Sequence, residues 1–381
     1  VKGPRHALYP DLVNGTRRPP TIIDVADAAG VGRSTASRVM KGQAGVKAAT
    51  REKVLEAAER LGYSPNPLAQ GMLSGRTHTI GVVLADVENP FFAQATRAIT
   101  DTARDNGYDV ILANTDDRPE AEQAAVRLML DKRVDGIIVS PANSLQIDHL
   151  QRALRTTPVV LIDRKAPALG VDTVVIDNYT AAFRATQLLT NLGHTRIAVT
   201  SNARRATPEA PFISSVTERF DGVRAALRAA GITPAPELFW IGGWNSVPQP
   251  AAIARFAEGD RPTAVLSTDS LVALSTLSAA RRAGLRVPDD LSLVTFDNAP
   301  WSEAFSPALS VVSQPVSELG ATATRLVIER AKGYAGPPRE VQLQSELIER
   351  ESTQRREKPS AGPICRQPVA RPKSSTERPD R

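Results

Sequence analysis

Two hydrophobic periods divide this chain. Between Thr21 and Gly62 apolar residues recur at helical spacing in three short groups. Ile22, Val25, Ala26 and Ala29 fall on one face of a first helix. Thr21 and Asp24 are spaced as a capping box at its start, and Gly30 is its stop. A second helix begins near Arg33. Ala36, Val39 and Met40 share one of its faces; Arg33, Ser34, Ser37, Arg38 and Lys41 share the other. A third helix runs from Ala48 to Leu61, with Val54, Leu55, Ala58 and Leu61 as its apolar stripe and Gly62 at its end. Two short helices joined by a glycine-containing turn of this length describe a helix-turn-helix. Three cations and two hydroxyls on the second helix suit base edges and phosphates in a major groove. In isolation the same face is an ordinary solvated one. Beyond Gly62, Tyr63-Ser64-Pro65-Asn66-Pro67 breaks the helical pattern. Leu68 to Ser74 has room for one or two helical turns, too few to persist alone in water, so it is expected to fold only against a partner.

From Thr79 the period changes to short continuous apolar runs separated by amphipathic stretches. Runs at Thr79–Ala85, Asp109–Ala113, Gly136–Ser140, Val159–Ile162, Thr173–Ile176, Arg196–Thr200, Leu238–Ile241, Ala264–Ser267 and Leu291–Phe296 predict buried strands. Asn89-Pro90 is placed to cap and open the helix after the first of them. Strand and helix in alternation predict a parallel α/β body, long enough for two lobes. In such folds ligands sit beyond the carboxyl ends of the strands. The polar residues there are Asp86, Asn89, Asp163, Arg164, Asp177, Asn178, Asp269 and Asp297. Each alone reads equally well as a helix cap. Together with aromatic residues, such carboxylates and arginines suit the hydroxyls and apolar ring faces of a sugar.

Charge sharpens this division. Residues 1–77 hold 12 Lys/Arg against 6 Asp/Glu, residues 78–352 hold 27 against 32, and residues 353–381 hold 8 against 3. A basic front end on a mildly acidic body suits a module that approaches phosphates while the body stays off them. Residues 1–20 and 353–381 lack periodicity and are expected to be a disordered arm and a disordered basic tail. The single cysteine, Cys365, excludes an intrachain disulfide and, with four scattered histidines, argues against a zinc site. No apolar run is long enough to span a bilayer and no secretory signal opens the chain, so a cytoplasmic location is expected.

Thr21, Ile22, Asp24 to Ala26, Ala29 to Val31, Thr35, Ser37 to Val39, Val46, Thr50, Arg51, Val54 and Leu61 to Asn66 match a long and specific pattern. They resemble the headpiece and hinge of the lactose-repressor/galactose-repressor (LacI/GalR) family of bacterial transcription regulators. The body, up to Leu347-Ile348-Glu349-Arg350-Glu351-Ser352, resembles the family's periplasmic-binding-protein-like core. The resemblance implies an all-α helix-turn-helix headpiece (21–63), a hinge (64–78) and a two-lobed α/β effector-binding and dimerisation domain (79–352). Lobe one would comprise about 79–177 with a returning strand near 298–313, and lobe two about 178–297 with 314–352. Arg33 and Ser34 would read bases, and Ser37, Arg38 and Lys41 would add base or phosphate contacts. Thr21 and Asn66 would anchor the DNA backbone; Ala69 and Met72 would contact DNA from the hinge, Met72 as a minor-groove wedge. Phe91, Phe92, Arg164, Arg219, Trp244, Asp269, Asp297 and Gln314 would line the effector cleft, with Arg219 and Asp297 foremost. Four departures from the family pattern are local: Gly32 for a serine cap, Ala36 for a core valine, Gln70 for a hinge arginine and Thr268 for an asparagine.

These implications describe a regulator whose partners are near-palindromic double-stranded DNA, a small effector such as a sugar, and a second copy of the chain in a dimer or tetramer. No cofactor, catalytic residue or metal is expected. An enzyme on a doubly wound sheet is disfavoured because Asp86-Val87-Glu88-Asn89-Pro90 follows the first α/β strand where a G-x-G-x-x-G turn would stand. Neither a P-loop nor a G-x-S-x-G elbow is present. A solute-binding protein without DNA activity is disfavoured by the headpiece itself.

Overall fold

The computed structural model describes residues 12–13, 16–18, 20–64, 76–202, 213–242, 250–257 and 259–356. The chain forms two compact units, one reaching to Thr79 and including Arg133–Asp135, the other holding the remaining body.

In the first unit, two-residue strands β1 (Leu12–Val13) and β2 (Thr16–Arg17) pair antiparallel, inside the arm where the sequence predicts no regular structure. Three helices follow, α1 (Ile22–Ala28), α2 (Arg33–Met40) and α3 (Ala48–Leu61). The Thr21 backbone N–H and hydroxyl both donate to Asp24, at 2.6 and 2.7 Å. Gly62 ends α3 at φ 65°, the left-handed region that a side chain would resist. Val25, Ala26, Ala36, Val39, Val54, Ala57 and Ala58 make the core. Full burial of each valine contributes roughly 1.5–3 kcal/mol. One expectation is corrected here. Leu55 and Leu61 are exposed, at 47% and 37%, because α3 rotates Ala57 rather than these leucines onto α1 and α2.

The second unit contains two six-stranded sheets. The first has the order β13-β7-β6-β5-β3-β4, formed by β3 (Thr79–Leu84), β4 (Asp109–Asn114), β5 (Gly136–Val139), β6 (Val159–Ile162), β7 (Thr173–Ile176) and β13 (Glu340–Leu343). The second has the order β14-β12-β11-β10-β8-β9, formed by β8 (Ile197–Ser201), β9 (Phe239–Ile241), β10 (Ala264–Ser267), β11 (Ser292–Phe296), β12 (Ser310–Ser313) and β14 (Glu346–Ile348). Most central strands are buried along their whole length, which is why they read as continuous apolar runs.

The lobe assignment is corrected by strand pairing. β12 pairs parallel with β11, through Val294↔Ser310 and its successors, so residues 310–313 belong to lobe two rather than lobe one. β13 pairs parallel with β7, so it belongs to lobe one rather than lobe two. Helix α11 (Val316–Ala331) accompanies it and packs on helix α4 (Pro90–Asp105). The chain therefore crosses between lobes after β7, after β12 and between β13 and β14. The body also runs past Ser352: the Gln354 N–H donates to Ser292 Oγ and the Arg356 N–H to Leu192 O, so residues 353–356 are packed rather than tail.

Two helix crossings depend on glycine. Helices α7 (Asn178–Asn191) and α8 (Ser214–Ala229) cross at Gly222, where a Cβ would lie 2.2 Å from Tyr179 O. At Gly320 of α11 a Cβ would lie 2.8 Å from Ala95 O. The first crossing sets Arg219, one turn before Gly222, against Asn178 at the start of α7.

Candidate functional site

The face of α2 opposite the headpiece core carries Arg33, Ser34, Arg38 and Lys41 exposed and Ser37 half-buried. Ala36 and Val39 point inward and fix this orientation. Gly32 at the helix start supplies no side-chain cap, as its identity dictates. Arg38 has a second task. One of its terminal amines donates to Ala44 O at 3.0 Å, bracing the turn after α2. The Thr21 hydroxyl, expected at a DNA backbone, is engaged with Asp24. Asn66, Ala69 and Met72 lie outside the described residues.

In the body, strand ends from both lobes converge on one cleft of about 170 Å³. Lobe one supplies Asp86 after β3, Phe91 and Phe92 from the first turn of α4, Asp117 after β4, and Asp163 and Arg164 after β6. Asn89 caps α4, its side chain accepting from the Phe91 N–H at 3.0 Å, and this turns both phenylalanines inward. Their rings meet edge to face at 5.0 Å. Lobe two supplies Ser215 and Arg219 from α8, Thr268 and Asp269 after β10, and Asp297 after β11; Gln314 follows β12 at the crossing into α11. Asp163 and Asp297 have φ of 68° and 71°. Aspartate tolerates this region better than most residues, and the sharp turn aims each carboxylate into the cleft.

Arg164, Arg219, Asp163 and Asp297 are buried, while Asp86, Asp117 and Asp269 are half-buried. Arg164 donates to the Asp117 carboxylate and to Pro141 O (3.1 Å), and its guanidinium lies 5.9 Å from the Phe92 ring centroid. Burial alone would lower its pKa, but Asp117 and Asp163 outweigh burial and the net shift is upward. The Arg219 guanidinium lies over the Phe296 ring at 3.9 Å and donates from Nε to Asn178 Oδ1 at 2.8 Å and from a terminal amine to Thr268 O. Burial lowers its pKa, opposed by Asp297 and Asp163. Burial pushes Asp163 and Asp269 above the usual carboxylate range. Asp297 is raised to about 7 by burial, with Arg219 pulling the other way. Gln314 Nε2 donates to Asp297 Oδ1 at 2.6 Å, while Gln314 Oε1 has no partner among the described residues.

The same two halves appear in known proteins. Residues 21–66 match the profile described as bacterial regulatory proteins, lacI family, and residues 77–351 match that of periplasmic binding proteins and sugar binding domain of LacI family. The chain belongs to the LacI family. Catabolite control protein A of Priestia megaterium is 36% identical over 335 residues, covering 87% of this chain and 99% of that protein. The lac repressor dimer, solved with operator and the anti-inducer ONPF, superposes with a TM-score of 0.78 at 27% identity, over 88% of this chain and 100% of that one. The transcriptional regulator CelR in complex with cellobiose superposes at 0.62 with 30% identity, over 87% and 99%. Among the described residues, no helix is long and apolar enough to cross a membrane.

Against this LacI-family background, the structure brings together seven of the eight cleft residues expected from sequence: Phe91, Phe92, Arg164, Arg219, Asp269, Asp297 and Gln314. Trp244 lies outside the described residues. Asp177 stays out of the cleft; it caps α7 by accepting from the Thr180 N–H at 2.9 Å. Asp117, Ser201, Asn202 and Ser215 line the cleft without having been singled out. Asp117 had a signal, a carboxylate pair just past the end of β4. The others are small polar residues with none.

The Asp297 value predicts pH-dependent ligand binding. A ligand hydroxyl donates better to a carboxylate than to a carboxylic acid, so affinity should fall as pH drops through about 7. With one linked proton the dissociation constant rises at most about tenfold per pH unit below that point. Calorimetry between pH 8 and 6 measures this, and Asp297→Asn should flatten the profile. A slope that survives the substitution would assign the proton elsewhere. In folding, the raised value contributes stability below the ordinary 3.8 that is lost as pH rises through about 7.

Proposed function

We propose that this LacI-family chain is an effector-gated repressor of carbohydrate-related genes, and that its effector is a sugar or sugar derivative held in the cleft. It acts as a homodimer in the cytoplasm, where two copies of α2 read the half-sites of a near-palindromic operator. The observation that carries the effector assignment is the pairing of buried carboxylates and guanidiniums with two phenylalanine rings around a single cleft. Hydroxyls pair with the charged groups and an apolar ring face packs on Phe91 or Phe92. Five carboxylates against two guanidiniums among the described lining residues favour an uncharged ligand over a phosphorylated one. The cellobiose complex of CelR agrees in ligand class. Ligand binding shifts operator affinity only through its preference for one arrangement of the lobes.

A gel shift on the DNA upstream of the chain's own gene, with and without a panel of D-ribose, D-glucose and cellobiose, tests the whole reading. A sequence-specific shift altered by one of these sugars is expected. Binding that is indifferent to DNA sequence would sink the operator reading. In the same assay Arg33→Ala should cost about 1–3 kcal/mol of discrimination at particular half-site positions. A uniform loss on every sequence would contradict a base-reading role for Arg33.

A further inference from the structure

Beside the cleft, four side chains outside its lining lead to Arg219 within it and form a continuous polar path from one lobe to the other. Lys165 follows Arg164 in lobe one. Its Nζ lies 2.8 Å from Glu340 Oε1, at the start of β13 in the same lobe, and 3.3 Å from Glu218 Oε1 on α8 of lobe two. The Lys165 backbone N–H donates to Ser214 Oγ, also on α8, at 2.7 Å. The other Glu218 oxygen accepts from Asn178 Nδ2 at 3.4 Å, and Asn178 Oδ1 accepts from Arg219 Nε at 2.8 Å. Glu340, Lys165, Glu218, Asn178 and Arg219 thus run in sequence from a lobe-one edge to the arginine over Phe296.

We infer that Lys165 and Glu218 form a latch between the lobes that favours the closed cleft and positions Arg219 without touching the ligand. The argument is one of geometry. Both Lys165 contacts to α8 cross from one lobe to the other, so neither survives if the lobes separate there. The Lys165 side chain is four-fifths covered and its ammonium lies between two carboxylates, so withdrawal of α8 leaves it with Glu340 alone. Glu218 then uses its second oxygen to orient Asn178, whose carbonyl holds Arg219 in turn. Opening the cleft breaks the Lys165–Glu218 contact and slackens the Asn178 anchor on Arg219 Nε. Closing restores both together, which couples lobe position to the cleft's principal cation. This deepens the proposed function, because it assigns Lys165 and Glu218 a role in effector affinity; the closure itself can be measured without any effector.

The test uses the full chain with Cys365→Ser and spin labels introduced by Asp131→Cys in lobe one and Arg282→Cys in lobe two. Labelled protein is diluted into excess unlabelled protein, so that distances within one chain dominate. Without ligand, the background chain should show one dominant short distance. Lys165→Met should add a longer population, Lys165→Arg should retain the short one, and exchanging all three charges with Lys165→Glu, Glu218→Lys and Glu340→Lys should recover most of it. Apparent affinity scales with the closed fraction, so Lys165→Met should also weaken whichever of D-ribose, D-glucose or cellobiose binds by about 3- to 10-fold, mainly through faster dissociation. Rescue by the charge exchange separates a latch from a general packing role. A distance distribution in Lys165→Met identical to that of the background chain overturns the latch. If the distances respond as expected but none of the three sugars binds, the latch stands and the sugar reading falls.

Discussion

Arg219→Met abolishes the response to the effector while leaving operator affinity intact. Arg219 is 6% exposed, anchored through Nε on Asn178, and stacked on Phe296. Methionine keeps most of the volume and the apolar contact with that ring. What disappears is the positive charge facing Asp297, Asp163 and Asp269. Truncating one partner of a buried, hydrogen-bonded charge pair costs about 2–5 kcal/mol in binding, roughly 30- to several-thousand-fold in affinity. Part of that loss arises because Asp297, already raised to about 7, loses the cation that holds it down and becomes protonated more readily. Calorimetry with the responsive sugar and a gel shift without it measure the two halves separately. An unchanged effector dose response would remove Arg219 from the site. A parallel loss of operator affinity would mean that the substitution damages the fold.

Asp172→Asn should be the most damaging single change to the body's stability. The Asp172 side chain is wholly buried. Arg330 reaches it from α11 through Nε and a terminal amine at 2.9 and 2.8 Å. Arg339, just before β13, reaches it through its backbone N–H at 2.7 Å and its guanidinium at 3.0 Å. Tyr334 lies against both guanidiniums. Asparagine leaves two arginines facing a neutral amide, and breaking a buried pair in this way costs about 3–5 kcal/mol. Denaturant unfolding measures the loss. Hydrogen exchange should quicken first at Val341 and Leu343, since Arg339 tethers the start of β13. Burial raises the Asp172 pKa, yet the bonds from both arginines win and lower it to about 2. Its contribution to stability is therefore complete above the ordinary 3.8 and is lost as pH falls through about 2. The wild type should lose stability across that window and Asp172→Asn should not. Equal acid sensitivity in both would place the effect elsewhere.

This cluster also explains where sequence reading went wrong. The segment it secures, α11 and β13, lies in the other lobe from the one expected, as does β12. The apolar run of β12 shows that a strand exists but carries no mark of the sheet it joins. The partner is chosen by long-range pairing with β11, and β13 is pulled to β7 by Asp172, Arg330 and Arg339, residues far apart in the chain. Within the headpiece, Leu55 and Ala57 both satisfy a helical stripe; only the angle at which α3 meets α1 and α2 decides that alanine faces inward. Asp177 and Asp163 look alike as carboxylates at strand ends. One satisfies the free N–H groups at the start of α7 and the other faces the cleft, a difference set by backbone direction and not by residue type.

The family resemblance supplied the cleft places of Phe91, Phe92, Arg219 and Gln314. Residue order alone was enough for the local features: the three headpiece helices and their stops, the apolar strands of a buried parallel sheet, and the carboxylates and Arg164 at strand ends. These depend on periodicity, capping and motif spacing, which act over a few residues. Tertiary structure alone decided which lobe owns β12, α11 and β13, that Asp117 compensates Arg164, and that Lys165 reaches Glu218 across the lobes. Those pairings join positions 16 to 175 residues apart, where the free energy of contact depends on how whole elements pack and leaves no local trace in the chain.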